Sequence, residues 1–175
     1  EELHTAIRDV PKPVIARVQG FAIGGGNVLA TICDLTICSD KAQFGQVGPK
    51  MGSVDPGYGT AFLARVVGEK KAREIWYLNR RYSGAEAVAM GLANFCFPHD
   101  QLDVEVQKIG EELCERSPTA LAIAKRSFNA DTAHQAGIAG LGMYALKLYY
   151  DTEESREGVN ALKDKRKPEF RKYAK

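Results

Sequence analysis

The stretch Lys12-Pro13-Val14-Ile15-Ala16-Arg17-Val18-Gln19-Gly20-Phe21-Ala22-Ile23-Gly24-Gly25-Gly26-Asn27-Val28-Leu29-Ala30-Thr31-Ile32-Cys33 decides the fold class. Pro11 and Pro13 end a first helix that carries Leu3, Ile7 and Val10 at helical spacing, because proline lacks the N–H and disfavours a helical residue before it. Val14 to Val18 is a β-branched run that suits a buried strand. The glycine triplet then opens the apolar stretch from Val28 to Cys33, which reads as a helix. Strand, glycine turn and helix make a βα unit, and Asp34 to Cys38 is the next strand candidate.

Working outward, residues 43–59 hold five glycines and two prolines, which rules out a long helix or a central strand there. Interspersed Phe44, Val47, Met51 and Val54 still argue for an ordered loop. Beyond it Ala61 to Val67 and Lys70 to Arg80 read as helices, the second with Ala72, Ile75, Trp76 and Leu78 on one face. Ser83-Gly84-Ala85-Glu86 is a capping box and Gly91 a helix stop. Leu92 to Phe97 is a short strand. Helices follow from Leu102, from Ser117-Pro118, where serine is the cap and proline the first helical residue, and from about Ala133 to Tyr150. The expectation is an α/β protein whose βα units come first, with a helical C-terminal half.

Composition narrows the function. The 175 residues are 45% hydrophobic, enough to bury the core of one domain, and the net charge of +2 offers no global footprint for nucleic acid. Seven basic side chains against two acidic ones crowd residues 163–175, which read most simply as a solvated tail that could also reach phosphates or RNA. Cys33, Cys38, Cys96 and Cys114 lack metal-ligand spacing, so neither a zinc site nor a disulfide framework is indicated; buried free thiols in a cytoplasmic protein are expected. No apolar run approaches the ~20 residues of a membrane span. His4, His99 and His134 read as surface or capping residues. The opening Glu1-Glu2-Leu3, without methionine, reads as an entry in mid-helix and so as part of a longer chain.

The first amides of a helix have no intrahelical acceptor and stand at the positive end of its dipole. Gly24-Gly25-Gly26 is therefore either a tight turn that needs positive φ or a place to hold an oxyanion. A dinucleotide fingerprint fails here for want of GxGxxG spacing.

Taken with Cys33-Asp34-Leu35, Ala42-Gln43-Phe44-Gly45-Gln46 and Gly91-Leu92-Ala93, the opening stretch resembles the crotonase (enoyl-CoA hydratase/isomerase) superfamily along essentially the whole chain. The resemblance implies a crotonase-like ββα spiral over 1–117, whose N-terminal part precedes this sequence, and a helical trimerisation and site-covering region over 118–175. It implies a coenzyme A thioester as substrate, no tightly bound cofactor, a homo-oligomer (trimer or hexamer) and Gly25 as one of two oxyanion donors, the other upstream. The two glutamates used by hydratases of the family correspond to Val28 and Gly48, neither of which carries a proton.

The run from Gln46 to Asp55 resembles instead the 1,4-dihydroxy-2-naphthoyl-CoA synthases. That likeness implies Ser53 and Asp55 as a hydrogen-bonded proton-transfer pair and Tyr150 reaching the substrate from a neighbouring subunit. It also implies a pocket of Gln46, Gly48 and Trp76 that holds a bicarbonate in some members. Asn27, Val54 and Pro56 depart from those synthases. Gly52 to Gly59 and the opening eleven residues are closer to the 2-ketocyclohexanecarboxyl-CoA hydrolases, which open a ring by a retro-Claisen step. Gly24 and Tyr58 complete the expected substrate-binding set. Without the resemblance Asp55 would be a turn former or helix cap. Trp76 reads as a core residue as readily as a pocket wall, and a catalytically silent crotonase-like binding module that uses the basic tail is the rival class of function.

Overall fold

The computed structural model describes residues 2–55 and 57–174. Helix α1 (Glu2–Asp9) ends before the prolines. Strand β1 (Ile15–Val18) follows, then β2 (Phe21–Ile23), α2 (Gly25–Ile32), β3 (Leu35–Ser39) and β4 (Gln43–Gly45). The loop contains α3 (Gly48–Met51) and a π-turn over Tyr58–Phe62 that runs into α4 (Leu63–Val67). Then come α5 (Glu69–Leu78), β5 (Tyr82–Ser83), α6 (Gly84–Ala89), β6 (Phe95–Phe97), α7 (Leu102–Cys114), α8 (Pro118–Asp131), α9 (Ala136–Tyr150) and α10 (Glu153–Lys163).

Two three-stranded sheets form, in the orders β1-β3-β6 and β2-β4-β5. From β1 to β4 the chain alternates between them; β5 stays in the sheet of β4, and β6 returns to the first. Ile15 pairs with Leu35 in one sheet and Phe21 with Gln43 in the other, both parallel, while β5 runs antiparallel to β4. The corners that carry the chain from sheet to sheet stack on one another: Ser39 Oγ donates to the Gln19 carbonyl at 2.7 Å and Gln43 N–H to the Gly20 carbonyl at 3.0 Å. This is the ββα spiral expected from the sequence, with Ile37, Phe44, Leu63 and Ile75 fully buried between its layers.

Several local expectations need correction. Strand β1 is an edge strand whose only buried residue is Val18, so its β-branched run is half exposed. Strand β2 was hidden in the glycine-rich turn. Strand β4 is central in its sheet despite the glycines around it, because three residues ending at Gly45 suffice for that short ladder. Leu78 falls off the buried face of α5 and is exposed. Cys38 alone among the thiols is buried, Cys33 and Cys96 are half-buried and Cys114 is exposed; burial pushes the Cys38 thiol up to about 12. The capping box at Ser83 forms in full, and Gly91 takes φ 80° just past α6.

The basic C-terminal segment is no free tail. Arg166 grips the Glu157 carboxylate at 2.6 and 3.0 Å, Glu169 N–H adds a bond at 2.8 Å, and Lys172 stands 3.6 Å away. Helix α8 is docked by Lys125, whose ammonium donates to the Ile7 and Lys12 carbonyls at 2.8 and 2.9 Å and to Asp34 Oδ2 at 2.7 Å. Nothing in the sequence marked this lysine as buried. Among the described residues no helix is long and apolar enough to cross a membrane.

Candidate functional site

The parallel pairing of β2 with β4 sets the glycine turn. Gly24 N–H donates to the Gly45 carbonyl at 3.0 Å, and Gly24 caps α2 with φ 57° and ψ −119°, a conformation that only glycine adopts at low cost. Gly25 and Gly26 are the first helical residues and are exposed. A Cβ built on Gly25 would have no neighbour within 4 Å, so the head of α2 is open there, and the Gly25 amide, among the first of the helix, has no intrahelical acceptor.

The loop after β4 lies beside this turn, since Val47 Cγ2 is 3.5 Å from the Cβ position of Gly24. Helix α3 and the turn at Gly52 fold the chain back, so that Ser53 N–H donates to the Gly48 carbonyl at 2.8 Å. Ser53 Oγ meets the Tyr150 hydroxyl at 2.8 Å. The same turn is clamped by α10: Ser155 Oγ donates to the Gly52 carbonyl at 2.7 Å. Gly158 lies so close that a Cβ there would meet the Met51 carbonyl carbon at 2.4 Å.

Asp55 uses Oδ1 to accept Gly59 N–H at 3.1 Å, and the Gly59 carbonyl accepts the Trp76 indole N–H. Helix α2 packs on the π-turn that Asp55 caps. Ser53 and Tyr150 are thus bonded to each other, Asp55 is linked to Gly48 through Gly59 and Trp76, and the turn that holds Gly24 and Gly25 borders the same loop at Val47.

Three details differ from expectation. Ser53 is bonded to Tyr150 and not to Asp55, because the π-turn presents Gly59 N–H to the carboxylate first. The capping role of Asp55 is therefore realised, with Oδ2 free of protein hydrogen bonds among the described residues. Tyr150 reaches Ser53 of its own chain, so no neighbouring subunit is needed to bring it there. Tyr58 is taken up by other rings, stacking on His4 with ring centroids 4.9 Å apart and packing on Phe62. His4 is accordingly no simple surface residue. His99 is also engaged, with its ring nitrogens 3.2 Å from Gln19 and 3.4 Å from Ser39. Pro56 lies outside the described residues.

Trp76 is both core and wall: it is buried, and its ring fills the space beside Gly48, where a Cβ would lie 2.6 Å from Cζ3. This bears on the bicarbonate pocket. Gln46 is 1% exposed with Nε2 unpartnered, a donor on offer to an anion, but the Trp76 N–H is engaged by Gly59 and Gly48 is covered. The residues present do not fit a bicarbonate. Asn27, fully buried in the first turn of α2 with both amide atoms unpartnered, is a polar group that the sequence marked only as a departure from relatives.

The family model for enoyl-CoA hydratase/isomerase matches residues 1–173. An enoyl-CoA hydratase from Mycobacterium avium subsp. paratuberculosis K-10 superposes with a TM-score of 0.90 at 32% identity, over 96% of this chain and 69% of that one. An enoyl-CoA hydratase/isomerase from Pseudoalteromonas atlantica T6c gives 0.88 at 25%, over 95% and 68%. A methylmalonyl-CoA decarboxylase in complex with 2-nitronate-propionyl-CoA shares the fold, with a TM-score of 0.85 at 24% identity over 97% of this chain and 66% of its own. The present chain thus spans about two thirds of the length of these proteins. The match along nearly every residue, together with the ββα spiral and the glycine turn at the head of α2, places the chain in the enoyl-CoA hydratase/isomerase family, the crotonase superfamily of acyl-CoA enzymes.

Proposed function

We propose that the protein opens the ring of a β-keto cyclic acyl-CoA, 2-ketocyclohexanecarboxyl-CoA, by retro-Claisen hydrolysis to pimeloyl-CoA. Gly48 carries the reading. Hydration of a double bond needs acid–base groups at positions 28 and 48. Val28 is buried and apolar, and position 48 has no room for any side chain between the Trp76 ring and the Ser53 carbonyl.

The chemistry left to the patch is that of an enolate. Water attacks the ring ketone, giving up a proton to Asp55. The adduct collapses to a carboxylic acid, and the bond between the former ketone carbon and the α carbon breaks. Its electron pair passes to the α carbon and is shared with the thioester oxygen, which accepts the Gly25 N–H. Asp55 returns the proton to the α carbon. Tyr150, oriented by Ser53, donates its hydroxyl to the ketone oxygen as charge develops there. The sequence likeness of Gly52 to Gly59 to the ring-opening hydrolases supports the choice of substrate.

The reverse sense of the same chemistry, closure of succinylbenzoyl-CoA by 1,4-dihydroxy-2-naphthoyl-CoA synthase, shares every one of these groups and is the alternative to exclude. Offering both thioesters separates them by product mass. A gain of one water by the ketocyclohexane thioester is the expected result. Loss of one water from succinylbenzoyl-CoA with no ring opening would overturn the proposal.

The region 118–175 is proposed as the assembly region of a trimer or hexamer. Leu141, Tyr144 and Leu148 of α9, each more than 70% exposed and spaced to share one side of the helix, support this as an apolar face of the kind that marks an interface.

A further inference from the structure

Between α1, the π-turn and α8 lies a cavity of ~330 Å³ with two chemically different walls. One is polar and cationic. Arg8 is half-buried and donates to Thr132 Oγ1 at 2.6 Å, and Asn129, which donates to the Arg8 carbonyl at 2.7 Å, fixes the backbone beside it. Arg126 stands on the same wall, 3.9 Å from Asp9. The other wall is aromatic: the Tyr58 and Phe62 rings lie 4.9 Å apart, and the Arg8 guanidinium is stacked 4.5 Å over Phe62. Among the described residues Arg8 makes no ion pair, although burial draws its pKa below the usual value. A desolvated guanidinium held by a neutral hydroxyl is short of an anion.

We propose that this cleft binds a monoanionic carboxylate on a compact apolar body, with Arg8 and Arg126 on the carboxylate and Tyr58 and Phe62 lining the place of the body. The charge of the ligand follows from the lining. Two guanidinium groups face the carboxylate of Asp9, and Asp34, whose charge also acts on Arg8, is paired with Lys125 at 2.7 Å; one positive charge is left to neutralise, whereas a phosphate dianion would leave an excess of negative charge against an aromatic wall. The planar fork of arginine matches a carboxylate, and the two tilted rings, backed by His4 and Arg8, give the cleft an apolar side that suits a compact apolar body. The site does not depend on the reaction proposed above.

The test is calorimetric titration of the whole chain with benzoate and with cyclohexanecarboxylate, using benzamide as the neutral isostere. Saturable binding of both acids is expected, with benzamide weaker by roughly tenfold or more, the range of a lost charge-assisted contact. Arg126→Gln, at an exposed position that folding does not need, should weaken benzoate by a similar factor, and Arg8→Lys by less than Arg8→Met. Equal binding of benzamide, unchanged affinity in a folded Arg126→Gln variant, or absence of saturable binding would each overturn the assignment.

Discussion

A Cβ on Gly48 would sit 2.6 Å from Trp76 Cζ3 and 2.7 Å from the Ser53 carbonyl oxygen, so the glycine that removes a hydratase acid also lets the indole close the wall. Gly48→Ala is expected to destabilise the fold by about 1–3 kcal/mol, as overpacking does, and to lower turnover by shifting Ser53; denaturant titration beside steady-state kinetics measures both. Gly25 offers a cleaner test. It is the first residue of α2, a position that accepts proline, and its Cβ position is open. Gly25→Pro should keep the protein folded and remove one oxyanion donor, lowering kcat by roughly 10²–10³. Turnover within a few-fold of the parent would remove Gly25 from the mechanism. Asp55→Asn keeps the Gly59 bond but cannot carry a proton, so kcat should fall by roughly 10²–10⁴ while acyl-CoA affinity is retained. A parallel loss of affinity would instead mark the carboxylate as a cap and no more.

At the scale of elements, helix α10 and the segment after it hold the loop that carries Ser53. Glu157, 6% exposed, keeps its carboxyl down at about 2, chiefly through its bonds to Arg166 and then through Glu169 N–H. A carboxyl held below its ordinary value of about 4.3 contributes stability that is complete above that value. The contribution is lost as pH falls from about 4.3 towards 2. Glu157→Gln should flatten the fall of stability across that window, measured by denaturant midpoints at a series of pH values; an unchanged slope would remove the clasp from the account. Lys125→Met leaves Asp34 with Val14 N–H as its remaining partner and takes the ammonium from the Ile7 and Lys12 carbonyls, and should cost about 3 kcal/mol, the low end for a broken buried pair. These ties were illegible in the sequence because each joins residues far apart in the chain: Lys125 to Asp34, Ser155 to Gly52, Tyr150 to Ser53. What periodicity and punctuation could report was local. Pro118 after Ser117, the Ser83–Glu86 box and the glycines at the head of α2 all stand where their chemistry puts them. Strand β2 was missed because three residues beside a glycine turn carry no period of their own. The Ser53–Asp55 bond was drawn from likeness alone, and the π-turn's free amide took the carboxylate instead.

For the molecule as a whole, alternation of strands between two sheets brings the turn at Gly24 and the loop at Gln46 to the same end of the spiral. The C-terminal helices then close over that loop through Tyr150 and Ser155. The exposed apolar face of α9 gives this closure a second consequence: light scattering should show a trimer or hexamer, and Leu148→Glu should dissociate it, whereas an active monomer would remove assembly from the account. The central claim is that a carbon–carbon bond is hydrolysed beside an intact thioester. Its most direct measurement is turnover of 2-ketocyclohexanecarboxyl-CoA in heavy-oxygen water, followed by mass spectrometry of the product and its fragments. One heavy oxygen in the new terminal carboxylate, with coenzyme A still attached, is the predicted result. Free coenzyme A with the ring intact, or a product that has lost water, would contradict it.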